Sequence, residues 1–123
     1  MTKRETAAER RAREAVEARE AEVRWEAEKP MRLLRVLVRA QNLGLYTNLS
    51  MMGDDINVAI TSQDYTSQHY TAMSVLTEWQ MQTIEQDMED REHEKQRQTR
   101  LNEIRQGLMG RLTEEEKEAL GLN

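Results

Sequence analysis

The residue types that most often perform enzymatic chemistry are few in this sequence, and their spacing does not suit it. His69 and His93 are the two histidines, and neither belongs to an HxxxH or HExxH pattern, the spacing that binds zinc from one helix. Asp54 and Asp55 are adjacent, so in an extended chain their carboxylates diverge and a shared proton would require a special turn. Without cysteine, the chain has neither a thiolate nucleophile nor Cys-ligated zinc. We therefore expect no enzyme, no metal and no cofactor.

A row of basic side chains offers a second kind of chemistry, the binding of phosphate. Lys29, Arg32, Arg35 and Arg39 recur every three or four residues, which places them on one side of a helix. This Arg stripe either binds nucleic acid, or caps the solvent side of a buried helix or meets acids on another subunit. The formal net charge of −5 and the aromatic content of 4% argue against a nucleic-acid surface. Nucleic-acid binding is therefore the alternative here.

The acidic residues suggest a converse alternative, in which the chain imitates DNA. From residue 78 onward, twelve acids stand against seven bases. Because the bases are interspersed among the acids, a solvated helix surface predicts the same composition. A regulator that acts through acidic mimicry is thus a variant of the nucleic-acid alternative.

The elements that must position these groups are separated by charge. Between residues 40 and 77 the acidic or basic residues are Asp54, Asp55, Asp64 and His69, whereas both flanks are crowded with Glu and Arg. The sequence therefore divides into two solvated, helix-favouring arms and a central segment that is suited to packing or to contact with a partner.

The first arm, residues 5–43, is predicted to be helical because it is rich in Ala, Glu and Arg and has opposite charges four residues apart. Pro30 marks a predicted break, either a kink or a new start. Beyond it, apolar residues cover most of the helix surface, so residues 31–43 are predicted to be the most buried helix. Gly44 is its expected left-handed end.

The central residues 45–61 are predicted to be extended. Apolar and polar residues alternate on both sides of Gly53-Asp54-Asp55, which is the pattern of a β-hairpin. An isolated hairpin is marginally stable in water, so this one must pack on helices or pair with another chain.

A returning helix is predicted for residues 62–106. Thr61 and Asp64 resemble a capping pair, and an apolar stripe follows helical spacing before it fades into charge after residue 85. Thr113 and Glu116 form a capping box that predicts a short terminal helix over 114–120, closed by Gly121.

These elements predict a mainly α fold in one domain, a long antiparallel helical hairpin resembling a coiled coil, with a small β-hairpin at the reversal point and a short C-terminal helix. If the hairpin reverses the chain, facing residue numbers sum to roughly 104, so Trp25 lies near Trp79. The alternative is that the first arm projects alone.

The same reasoning predicts where a partner binds. A chain of 123 residues with 37% hydrophobic content has little private core, and association relieves that shortage. The partner-binding residues are expected to be large apolar or aromatic side chains in and around the β tip: Trp25, Leu45, Tyr46, Leu49, Met51, Met52, Ile56, Val58, Ile60, Tyr65, Tyr70 and Trp79.

We accordingly expect a non-enzymatic assembly or adaptor protein that forms a homo-oligomer or docks into a larger complex. The layout of helix, short β element and returning helix is similar in outline to prefoldin-type subunits. The composition resembles that of small accessory or assembly proteins of tailed viruses. No membrane span is expected, because the longest uncharged window is interrupted by polar residues. The implied location is the cytoplasm or a virion-like particle.

Overall fold

The computed structural model describes residues 4–122, which fall into two compact units that divide between Glu85 and Gln86. Within the described residues the order of elements is α1 (Ala7–Asn42), β1 (Tyr46–Met52), β2 (Asp55–Thr61), β3 (Gln68–Ala72), α2 (Glu78–Arg111) and α3 (Glu114–Ala119). A single 3-10 turn, Met73–Val75, lies between β3 and α2. The last helix α3 and most of α2 belong to the second unit.

Helix α1 confirms the first predicted arm. The side chain of Thr6 caps its first turn by accepting from the Glu9 N–H, and the helix runs for 36 residues through Pro30 without a new start. It ends where Gly44 adopts a φ of +78°, as expected for a left-handed stop. Only one side of the helix is buried, since Met31 and Leu34 are each 54% exposed. The buried positions are Trp25, Lys29, Leu33, Val36, Leu37 and Ala40.

The predicted β-hairpin is present as β1 and β2. The two strands pair antiparallel without interruption from Tyr46 opposite Thr61 to Met52 opposite Asp55. Gly53 and Asp54 form the two-residue loop, and Gly53 has a φ of +63°, which fits the first central position of a type II′ turn. Val58 and Ile60 on β2 are almost fully buried, so the central strand supplies the core side of the sheet.

The prediction that residues 62–77 start the returning helix is wrong. This segment forms a loop and then β3, which pairs antiparallel with β2 and completes a three-stranded sheet in the order β1-β2-β3. Asp64 does not cap a helix, because it accepts hydrogen bonds from Ser62 and Thr66 within the loop. The backbone groups of β2 that do not pair with β1 form hydrogen bonds with β3. These hydrogen bonds stabilise the extended form of residues 68–72 more than the helical spacing of their apolar residues favours a helix.

Helix α2 therefore starts at Glu78 and extends to Arg111, beyond the predicted end at 106. The short α3 confirms its predicted capping box, in which Thr113 and Glu116 each accept from the backbone of the other. Two long helices and an intervening β-hairpin agree with the expected outline, whereas the third strand was not expected. The coiled-coil pairing of the two arms stays a prediction.

Candidate interaction surface

The seven residues of β1 carry four exposed large apolar or aromatic side chains, whereas the 36 residues of α1 carry five. Tyr46, Leu49, Met51 and Met52 are 53%, 57%, 65% and 67% exposed, respectively, although strands of globular proteins usually bury one face. The strand contains no charged residue. It therefore presents to solvent the kind of surface that partners bind, which agrees with its place among the predicted partner-binding residues.

The register of the sheet assigns these side chains to two faces. Leu49 and Met51 lie opposite Val58 and Ile56, so they share the face that carries the buried core side chains of β2. They nevertheless stay exposed, whereas Val58 and Ile60 on β2 are buried, so the side chains that cover β2 leave β1 open on this face. Tyr46 and Met52 lie on the other face of the sheet.

An aromatic cluster occupies that second face. The ring of Tyr46 stacks on the ring of Tyr65 at a centroid distance of 5.9 Å and an interplanar angle of 21°. Tyr65 holds a φ of +59°, which is uncommon for a bulky residue, and its N–H donates to the Ser62 carbonyl. Tyr70 on β3 is 64% exposed on the same face. The face is thus amphipathic and suited to contact with a partner.

A shallow groove of about 220 Å³ lies between β3 and the first turns of α2. Tyr70, Trp79 and Ile84 are among the residues that line it, and Trp79 is 72% exposed. Two more predicted positions, Leu45 and Ile56, are half-buried. The groove therefore joins Tyr70 and Trp79 in one surface that their spacing alone did not indicate.

Three predicted partner-binding residues are instead part of the core. Trp25 is 8% exposed, Val58 3% and Ile60 2%, so none of them is available to an outside partner. Val58 and Ile60 belong to the central strand and lie on its buried apolar face. Trp25 is therefore an internal anchor of the first unit.

Trp25 is held by polar as well as apolar contacts. Its indole Nε1–H donates to the Leu76 carbonyl at 3.2 Å, and the Arg32 guanidinium lies 5.2 Å from its ring centroid. The Lys29 ammonium lies 5.6 Å from the same centroid and donates to the Met73 carbonyl at 2.9 Å. Both cations therefore interact favourably with the indole ring of Trp25, and Lys29 also connects α1 to the segment before α2.

Arg32 meets acids of its own chain. Its guanidinium contacts Glu85 at 2.5 Å and Glu78 at 3.3 Å, and Glu28 lies 3.7 Å away. The hydrogen bond to Glu85 raises the pKa of Arg32, against the opposing effect of burial. Within the first unit, Arg32 thus stabilises the start of α2 against α1.

The Arg stripe is consequently not one solvent-facing row. Lys29 is 3% exposed, a position that the helical spacing alone did not predict. Arg35 is exposed, and Arg39 is half-buried and interacts with a further group. Because two of the four cations are engaged with carbonyls, a ring and carboxylates, the stripe offers few free charges to phosphate.

The carboxylates of Asp55 and Asp64 accept hydrogen bonds that stabilise the turn and loop segments of the β tip. Asp55 accepts from the Ile56 N–H at 2.9 Å, from the Ser74 N–H at 3.2 Å and from the Ser74 hydroxyl, and the last bond is the main cause that lowers its pKa. Hydrogen bonds from Ser62 and Thr66 lower the pKa of Asp64 to about 2. Groups this acidic stay ionised at neutral pH, so they do not serve as general acids there.

The histidines are separated. His69 lies on β3 opposite Ile60 and is half-buried, whereas the exposed His93 lies 3.7 Å from Glu89 one turn away on α2. His69 therefore occupies a strand and not the predicted helix stripe. Among the residues that the structure describes, no group of three or more His, Asp or Glu side chains could hold a metal ion.

The second unit has an apolar cleft of its own, which sequence reasoning did not name as a site. It has a volume of about 440 Å³ and lies between the end of α2 and the α3 segment. Leu101, Ile104 and Leu108 follow helical spacing on one wall, while Leu120 and Leu122 form the other. All five are 43% to 64% exposed. The helical spacing of Leu101, Ile104 and Leu108 could have indicated the first wall from the sequence. The second wall could not be predicted in this way, because it depends on where α3 packs.

No helix in the described part of the chain is long and apolar enough to cross a membrane. No protein-family model matches the chain, and neither the curated proteins nor the solved structures include one that is significantly similar to it.

Proposed function

We propose that this chain is a non-enzymatic assembly or adaptor protein, which acts by binding a second copy of itself or by docking into a larger complex through its β tip. The observation that supports this most is the open β1 strand, on which four large apolar side chains are each more than half exposed. Full burial of one such side chain is favourable by roughly 1.5–3 kcal/mol, so covering the exposed half gains about 1 kcal/mol each.

The polar groups support the same function. Asp55, Asp64 and Arg32 are engaged in hydrogen bonds and ion pairs that hold turns or connect helices within the chain. Groups that are already saturated by the fold are poorly placed to bind and transform a substrate. The large exposed side chains of β1 are instead aromatic and apolar, which is typical of protein interfaces.

Native mass measured by light scattering over a wide concentration range tests this proposal. We expect a mass above that of the 14.5 kDa monomer, or a stable complex with a partner that co-purifies. Met51→Glu combined with Met52→Glu should lower the associated mass, because each places a charge on the proposed contact surface. Val16→Glu is the matched control, since Val16 is 56% exposed and lies ten residues before Glu26, where α1 begins to line a groove with Asp54 and Asp55 of the β tip.

The informative comparison is between the two variants. Equal loss of association in both would indicate a general effect of charge and contradict a contact at β1. A wild-type chain that stays monomeric at high concentration and captures no partner would contradict the assembly function itself.

A further inference from the structure

The outer edge of β1 lacks the devices that usually protect an exposed edge strand. Within the described residues β1 pairs with β2 on one side and has no strand on the other. Six of its seven residues are exposed, and its register shows no bulge. It contains no Lys, no Pro and no inward-pointing charge. Natural proteins use such features to prevent edge-to-edge pairing, so their absence here favours pairing with another strand.

The turn geometry determines which backbone groups face outward. A two-residue type II′ loop closes with a hydrogen-bonded pair, here Met52 and Asp55. Hydrogen-bonded and non-hydrogen-bonded pairs alternate along an antiparallel ladder, so even-numbered residues of β1 bond to β2. Thr47, Leu49 and Met51 therefore direct their N–H and C=O groups to the open edge.

We propose that β1 pairs antiparallel with β1 of a second copy, about a two-fold axis that passes at Leu49, and forms a continuous six-stranded sheet. This inference rests on the proposed assembly function and names its partner. In this register Leu49 faces Leu49 of the second copy, and Thr47 faces its Met51. In this central register, Thr47, Leu49 and Met51 of one strand each lie opposite a residue of the second strand whose backbone groups also face the shared edge.

The charge and side chains of β1 favour a second copy as the occupant. A strand with no side chain that is charged at neutral pH can lie opposite itself without repulsion between like charges. On one face the pairing extends the apolar surface of Leu49 and Met51. On the other it places Tyr46 opposite Met52, and sulfur–aromatic contacts of this kind are favourable.

Symmetry distinguishes this pairing from the use of the other sheet edge. A two-fold contact closes after two copies, whereas β1 on β3 of the next copy is a head-to-tail contact that produces larger rings or open filaments. The β3 edge is also bordered by the groove against the first turns of α2. Because one strand pair buries less than the roughly 1,200 Å² of a standard interface, we expect a dissociation constant in about the micromolar range.

A charge exchange at Leu49 tests the pairing, because a residue on the axis meets its own copy. Leu49→Lys and Leu49→Glu should each weaken the dimer at least tenfold, and an equimolar mixture of the two should restore a heterodimer. Native mass spectrometry resolves the three species. Leu49 is 57% exposed, so circular dichroism should show both variants folded, and Met31→Lys on α1 is the matched control.

A second variant tests the register. Thr47→Lys and Met51→Glu combined in one chain should retain the dimer, since each lysine then faces a glutamate of the second copy. Variants that associate like the wild type, a mixture that does not restore the dimer, or growth beyond two copies would overturn the strand pairing while the assembly function stands. A monomeric wild-type chain without a partner would overturn both.

Discussion

Replacement of Trp25 by Phe probes the contact that secures α1 to the rest of the first unit. Trp25 is 8% exposed and donates its indole N–H to the Leu76 carbonyl at 3.2 Å. Phenylalanine keeps an aromatic ring in the same place but has no donor. The substitution therefore removes the hydrogen bond and leaves the Leu76 carbonyl without its indole donor.

The expected loss follows from these contacts. An unsatisfied buried carbonyl costs about 1–3 kcal/mol, and the smaller ring adds roughly 1 kcal/mol through lost packing. The Arg32 guanidinium and the Lys29 ammonium also interact less favourably with benzene than with indole. We expect Trp25→Phe to lower the free energy of unfolding by about 2–4 kcal/mol, a large part of the 5–15 kcal/mol typical of a domain.

Urea denaturation followed by circular dichroism measures this difference. With an m-value of about 2 kcal/mol/M, the midpoint should fall by roughly 1–2 M. Trp79→Phe is the matched control, because Trp79 is 72% exposed and its replacement should change stability by less than about 0.5 kcal/mol. That variant also leaves Trp25 as the one fluorophore of its type, and its emission should be blue-shifted in the folded state.

Equal midpoints for Trp25→Phe and Trp79→Phe would refute the assignment of Trp25 as the internal anchor. Solvent-like emission from Trp25 in the Trp79→Phe variant would refute it independently, because it would show an accessible indole.

Three further predictions concern single contacts. Lys29→Met should lower the free energy of unfolding by about 1–3 kcal/mol, because the Met73 carbonyl loses its hydrogen-bond donor. An unchanged melting temperature in thermal denaturation would contradict this buried hydrogen bond. Gly53→Ala should lower the free energy of unfolding by about 1–2 kcal/mol, because φ at Gly53 is +63°. Gly107→Ala inside α2 should raise the free energy of unfolding by up to about 1 kcal/mol. Calorimetry should therefore show a lower melting temperature for the first variant and a higher one for the second. The pKa of Asp64 is lowered from 3.8 to about 2, so its contribution to stability is complete above about pH 4 and disappears as the pH falls toward 2. Asp64→Asn should reduce the dependence of the melting temperature on pH between about pH 2 and pH 4. A variant with the same pH dependence as the wild type would argue against the hydrogen bonds from Ser62 and Thr66.

Much of the fold was accessible from local sequence signals. Helix α1 and the α3 capping box depend on groups within a few residues of one another, and so does the stop at Gly44. The hairpin was accessible for the same reason, because alternating side chains flank a two-residue turn. The segment from residue 62 was misassigned because its apolar residues also fit helical spacing.

The candidate surface was predicted in part. Tyr46, Leu49, Met51 and Met52 were named from their place in an uncharged hairpin, and the structure places all four at the surface. Trp25 was named for the same role but is buried, because its contacts come from a segment about fifty residues later in the chain. Spacing within one helix shows which residues share a side, but not what covers that side.

The sequence by itself determined α1, α3, the uncharged hairpin with its turn, and the poor supply of catalytic groups, because each depends on composition or on near neighbours. Tertiary structure alone decided that Gln68–Ala72 is a strand, since its hydrogen bonds are made with β2. It also decided that Lys29 is buried, since the carbonyl that accepts a hydrogen bond from its ammonium group belongs to Met73, 44 residues later in the sequence. The open edge of β1 likewise follows from strand order, a property of the assembled sheet.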